Sequence, residues 1–173
     1  LIGPELQIGY QLGDASDAPV LLIKTAWGGK SLYKDFRPPI ADGDTGEYYT
    51  KMIAEVREAL AAVPANFPSL KGRKLVVSGF IWFQGWNDMF NQNALKEYED
   101  NLVHLIMDVR KEYKKPKLPV IIGELGNGGP KAGKNMLSIR AAQKAASGRK
   151  ELLGNVKFVS TTAFARPKEQ SPN

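Results

Sequence analysis

The sequence predicts an α/β protein with a mostly parallel sheet and helices on both faces. Three observations predict it. Apolar periodicity alternates between strand and helix along the whole chain. Val20 to Thr25 is a nearly continuous apolar run, too short for a helix and suited to a strand buried on both faces. Glycine, amide, carboxyl and tryptophan residues collect at one end of the predicted strands, while ordinary Lys, Pro and Asn mark the other.

In chain order, Pro4-Glu5 opens a short helix, proline being suited to a first turn, and Gly13 can close it. The Val20–Thr25 strand follows, and then a loop rich in Gly, Pro and Asp from Gly28 to Gly46. Tyr49, Met52, Ile53, Val56, Leu60 and Val63 recur at steps of three and four, one face of an amphipathic helix. Leu75 to Phe83 reads as the second strand. Leu95, Tyr98, Leu102, Leu105, Ile106, Val109 and Tyr113 line the buried face of the next helix. Pro119 to Gly123 is a third strand, Asn135 to Ala146 a third long helix and Val156 to Thr161 a fourth strand. No internal repeat interrupts this order, and residues 1–173 are expected to form a single domain.

Composition excludes several function classes. The 43% hydrophobic and 24% charged residues are those of a globular chain. No apolar run is long enough to span a bilayer, and no leader is visible in a sequence that starts at Leu1. The absence of cysteine removes disulfides and a thiol nucleophile, and a single histidine removes a multi-histidine metal site. The net charge of +6 is spread among acids, and its densest run, Lys111 to Lys117, sits at a helix end where cations suit the dipole. Nucleic-acid binding is therefore not expected.

Open α/β sheets bind ligands outside the carboxyl ends of their strands. In Gly85-Trp86-Asn87-Asp88 a glycine permits a sharp turn directly after a strand. Asn87 can then aim its amide above the sheet, as a donor to the oxyanion of a tetrahedral intermediate. Alone, the tetrapeptide reads better as turn chemistry, with Asp88 capping the next segment. Gly28-Gly29-Lys30-Ser31 after another strand end adds a free backbone N–H at Gly29, and two donors make an oxyanion hole. A phosphate loop is excluded because the first glycine it requires would fall at Lys24. Ser31 lacks the Gly-x-Ser-x-Gly elbow and a nearby base.

Gly29 and Gly85-Trp86-Asn87-Asp88 resemble the second and third conserved blocks of the SGNH, or GDSL-type, hydrolases. Trp82-Phe83-Gln84-Gly85, with Ala26-Trp27-Gly28-Gly29 earlier, is similar to the carbohydrate-esterase branch that contains sialate O-acetylesterases. The resemblance runs in order along essentially the whole chain. It implies a flavodoxin-like three-layer α/β/α fold and serine-dependent removal of acetyl groups from carbohydrate, with no cofactor and a secreted or periplasmic location. It also implies that Gly29 and Asn87 are oxyanion donors and that Gln84 lies at the pocket edge. Trp86 stands where the branch usually has glutamate, and stacking on a sugar face is the corresponding expectation. The branch's Gly-Asp-Ser or Gly-Gln-Ser block and its Asp-x-x-His block are not found. The expectation is that both fall beyond the chain, that the first strand and the C-terminal part are missing, and that this piece alone is inactive.

Three other readings are open to test. Asp88 and Glu124 both follow strands, as the acid and nucleophile of a glycoside hydrolase would, although each can instead bond turn or loop amides. A non-catalytic carbohydrate-binding relative would keep the pocket without the nucleophile. Trp27, Trp86 and Phe83 are candidates for a sugar-stacking wall, with the Tyr33–Gly46 loop as a pocket roof. His104 shares a helix face with Glu97, Asp100, Asp108 and Lys111 and is expected to be an exposed surface residue, not a base.

Overall fold

A computed structural model describes residues 3–152 and 154–166. The chain divides into two compact units, Leu1–Trp27 with Ala54–Arg73, and Gly28–Ile53 with Lys74–Asn173. The first unit holds helix α1 (Glu5–Asp14) and the later part of helix α2 (Glu47–Asn66). No side chain of α1 is buried, and Leu6, Tyr10 and Leu12 are exposed. An ion pair between Lys24 and Glu5 links α1 to the segment after it.

The second unit is the α/β part. Strands β1 (Phe80–Trp82), β2 (Val120–Gly123) and β3 (Val156–Val159) form a parallel sheet in the order β1-β2-β3. Phe80 pairs with Val120, and Val120 with Val156. Helix α3 (Gln92–Glu112) joins β1 to β2, and α4 (Lys134–Ser147) joins β2 to β3. The sequence-predicted parallel α/β order is therefore present. Asn91 caps α3, its side chain accepting from the N–H groups of Asn93 and Ala94, and Arg110 and Lys111 complement the dipole in the last turn.

Strand alternation sends Trp82, Val120, Ile122 and Val156 into the core, where α3 and α4 pack on one another. Ile81, Ile121 and Val159 point to the opposite, exposed face. The indole of Trp82 donates to the Tyr98 hydroxyl at 3.3 Å, which fixes α3 to the core face of β1. Arg110, only 4% exposed, donates from Nε and Nη2 to the carbonyl of Leu118 and from Nη1 to that of Leu152. One guanidinium thus ties α3 to the chain just before β2 and before β3.

Several expectations are corrected. Val20–Thr25 is not a strand, and Val20, Leu21 and Leu22 are exposed, because no described residue supplies the ladder that a doubly buried strand needs. The expected Leu75–Phe83 strand is confined to Phe80–Trp82. Phe80 N–H donates to the carbonyl of Pro119, but the proline has no N–H to donate to the residues preceding Phe80, so the parallel ladder stops there. The last strand ends at Val159 rather than Thr161. His104 and Asp108 are not on a solvated face. His104 is half-buried with its Nδ1 enclosed and unbonded among the described residues, and Asp108 is buried. The Gly28–Gly46 loop crosses that face of α3: Arg37 pairs with Glu97 at 2.7 Å, and Ile40 N–H donates to Asp108 at 3.1 Å.

Replacing Arg110 with Met keeps the bulk but leaves the Leu118 and Leu152 carbonyls unsatisfied. The expected loss is about 2 to 4 kcal/mol of stability, read as a lower denaturant midpoint with unchanged far-ultraviolet dichroism.

Candidate functional site

The site begins where β1 ends. Gly85 has φ +151°, and a Cβ there would lie 2.8 Å from Ile139 Cγ2, 2.9 Å from Leu125 Cδ1 and 3.1 Å from the Tyr98 hydroxyl. Only glycine fits both the conformation and the space, so the chain turns hard against α3 and α4 and lifts Trp86 and Asn87 above the sheet. Asn87 opens a short 3₁₀ turn, Asn87–Phe90.

Asp88, in the same turn, points the other way. It is 1% exposed, and its two oxygens accept the N–H groups of Leu32 at 2.9 Å and Tyr33 at 2.8 Å. Gln84 adds a 2.7 Å bond to Asp88 and a 2.9 Å bond to the carbonyl of Lys30, both from its Nε2. Its backbone carbonyl accepts from Tyr98 and Gln143. Burial raises the Asp88 carboxyl above its ordinary range, against the opposing pull of Gln84 and the two amides. The arrangement clamps the 30–33 segment to the end of β1.

The clamp sets Gly29 beside Asn87. Gly29 has φ +73°, and a Cβ on it would meet Asn87 Nδ2 at 3.8 Å. Among the described residues neither the Gly29 N–H nor the Asn87 side chain makes a hydrogen bond. Two unused donors are therefore neighbours at the carboxyl end of the sheet. Ser31 is not free for attack, because its Oγ donates to Asp35 at 2.9 Å.

Glu124, at the end of β2, has a related structural task. Its Oε2 accepts from the Ser160 and Thr162 hydroxyls and from the N–H groups of Thr161 and Thr162. Burial by itself would raise this carboxyl, but those donors, Ser160 foremost, leave it below its ordinary value of 4.5. The carboxylate holds the loop after β3 onto the end of β2. Asp88 and Glu124 are thus both engaged by protein donors, and Asp88 is turned inward, where it cannot reach a glycosidic oxygen.

Trp86 is 48% exposed and meets the 70% exposed Phe90 edge to face, with centroids 6.0 Å apart. The two rings border a groove of about 510 Å³ whose other wall runs from Asn127 to Met136. Arg140, buried on α4, donates to the carbonyls of Leu125, Asn127 and Gly129 and so fixes that wall. Trp27 is half-buried and belongs to the first unit, whereas Gln84, Trp86, Asn87, Glu124 and Gly29 all belong to the second. Sequence reasoning did not find Arg140 or the clamping role of Gln84. The signal for Arg140 was an arginine on the apolar stripe that Met136, Ile139 and Ala146 define.

Gly85→Ala forces a strained φ and a clash, and is expected to cost about 3 kcal/mol in chemical denaturation. The lowered Glu124 carboxyl contributes stability that is complete above pH 4.5 and is lost as pH falls through its folded value. Glu124→Gln is therefore expected to unfold at lower temperature near neutrality, with a flatter loss of melting temperature in acid than the parent.

A protein of Arabidopsis thaliana, solved by X-ray crystallography at 1.6 Å, superposes with a TM-score of 0.66 at 23% identity. The match covers 92% of this chain and 56% of that one, so the chain spans little more than half the length of this relative and shares its fold. No curated protein matches the sequence. The family described as carbohydrate esterase, sialic acid-specific acetylesterase matches residues 1–171. With a match over that length, the chain belongs to this carbohydrate esterase family.

Proposed function

We propose that this chain carries the oxyanion-stabilising part of a serine acetylesterase that removes O-acetyl groups from carbohydrate, sialic acid and acetylated polysaccharide being the substrate classes in view. The observation that supports this most is the pairing of two unused donors, Gly29 N–H and Asn87 Nδ2, held together by Asp88 and Gln84. When a serine attacks an acetyl carbonyl, negative charge develops on the carbonyl oxygen. Donors already in place stabilise that charge without reorganising at the moment of reaction. The SGNH-type arrangement adds the serine's own N–H as a third donor.

In this reading the serine and its histidine base come from other segments of the protein. Ser31 is hydrogen-bonded to Asp35, and His104 lies on α3 between Glu97 and Asp108, two residues that bond the 28–46 loop. The serine attacks, the histidine takes its proton and returns it to the leaving sugar hydroxyl, and water then releases acetate. Gln84 acts through Asp88 and Lys30 as a positioning residue, and Trp86 offers an apolar face to the sugar.

The test is acetate release from O-acetylated sugars by the full-length protein and its Asn87→Ala variant. The expected outcome is a drop in kcat of about 10²- to 10³-fold with an unchanged melting temperature. An unchanged kcat would remove Asn87 from the machinery, and a full-length protein that binds the sugar without turnover would be a carbohydrate-binding relative. The 173-residue chain alone is expected to release no acetate at an enzymatic rate.

A further inference from the structure

The groove beside Asn87 has a chemistry of its own. It lies in the range of small-ligand sites, about 300 to 1,000 Å³, yet neither Gly29 nor Asn87 lines it. A ligand held there would lie against Trp86, the neighbour of Asn87 in the chain, without the groove being formed by the two donors. One wall is the exposed Trp86–Phe90 pair, whose apolar faces suit the C–H face of a sugar ring. The other carries Asn127, Lys131, Lys134 and Asn135. Lys131 ends the Gly129–Lys131 turn, and Lys134 opens α4, so both cations stand at the positive end of that helix. Among the described residues neither has an ion-pair partner, and no carboxylate lines the groove. Arg140 already satisfies the carbonyls of Asn127 and Gly129, which keeps the basic wall fixed. Two unpaired lysines in an open groove favour an anion, and the aromatic wall favours a ring over a simple ion.

We propose that this groove binds a carboxylate-bearing sugar neighbouring the acetylated one, with Lys131 and Lys134 as specificity-determining residues. The proposal rests on the esterase reading, but its test measures binding without turnover, so the two can fail separately. Tri-galacturonic acid and neutral galactotriose are titrated into the full-length protein, and the indole N–H resonances of Trp27, Trp82 and Trp86 are followed by NMR. The expected result is movement of the Trp86 resonance with the acidic trimer and not that of buried Trp82, with affinity falling as salt is raised. Lys131→Gln combined with Lys134→Gln is expected to weaken the acidic trimer about tenfold while leaving the dispersion of the spectrum intact. Equal affinity for the neutral trimer, an unmoved Trp86 resonance, or no effect of the double substitution would overturn the proposal. Groove binding retained in Asn87→Ala alongside lost acetate release separates this site from the oxyanion donors.

Discussion

The Asp88 carboxylate is buried to 1% exposure and makes its bonds to a loop rather than to a cation. A buried carboxyl group costs free energy unless donors surround it, and here two backbone amides and the Gln84 amide do so. The geometry of the candidate site at the end of β1 depends on that constraint. The loop cannot leave without abandoning the carboxylate, so Gly29 stays beside Asn87. The turn cannot relax either, because Gly85 is wedged against α3 and α4. A short segment of irregular chain thereby acquires the rigidity of the sheet.

Glu124 repeats the device one strand along, with hydroxyls joining the backbone amides. Arg110 and Arg140 do the converse, each directing its guanidinium at loop carbonyls. Among the described residues, the buried charges Asp88, Glu124, Arg110 and Arg140 hold loops against regular elements and make no ion pair with one another. Among the described residues, Lys131 and Lys134 of the groove wall have no ion-pair partner. Fixed loops and unengaged cations are what a recognition surface for an anionic, polyhydroxylated partner requires.

The helical and central parts of this fold were legible in the sequence because their periodicity is strong. Leu102, Leu105, Ile106 and Val109 are all buried on α3 as their spacing indicates, and β2 and α4 fall within a residue of their expected bounds. Short apolar runs were less informative. Val20–Thr25 has the composition of an inner strand, but composition does not supply a partner, and Pro119 stops the ladder that Leu75–Gly79 would have joined. The reading of His104 and Asp108 as solvated failed because an irregular loop has no period from which its resting place can be read. At the candidate site, the glycine and asparagine after strand ends stood out in the sequence. The clamp did not, since the two backbone amides that Asp88 accepts, those of Leu32 and Tyr33, lie far away in sequence and only Gln84 is near.

That separation bears on how the protein comes to have a site at all. The two backbone N–H bonds to Asp88 close spans of 56 and 55 positions. Closing a loop of that size costs chain entropy before any contact offsets it, whereas α3 and α4 form from neighbouring residues. A partly folded molecule can thus possess its helices and the parallel sheet and still hold Gly29 and Asn87 apart. The arrangement of Gly29 beside Asn87 requires that long-range closure, and local unfolding of the 28–46 loop would erase it.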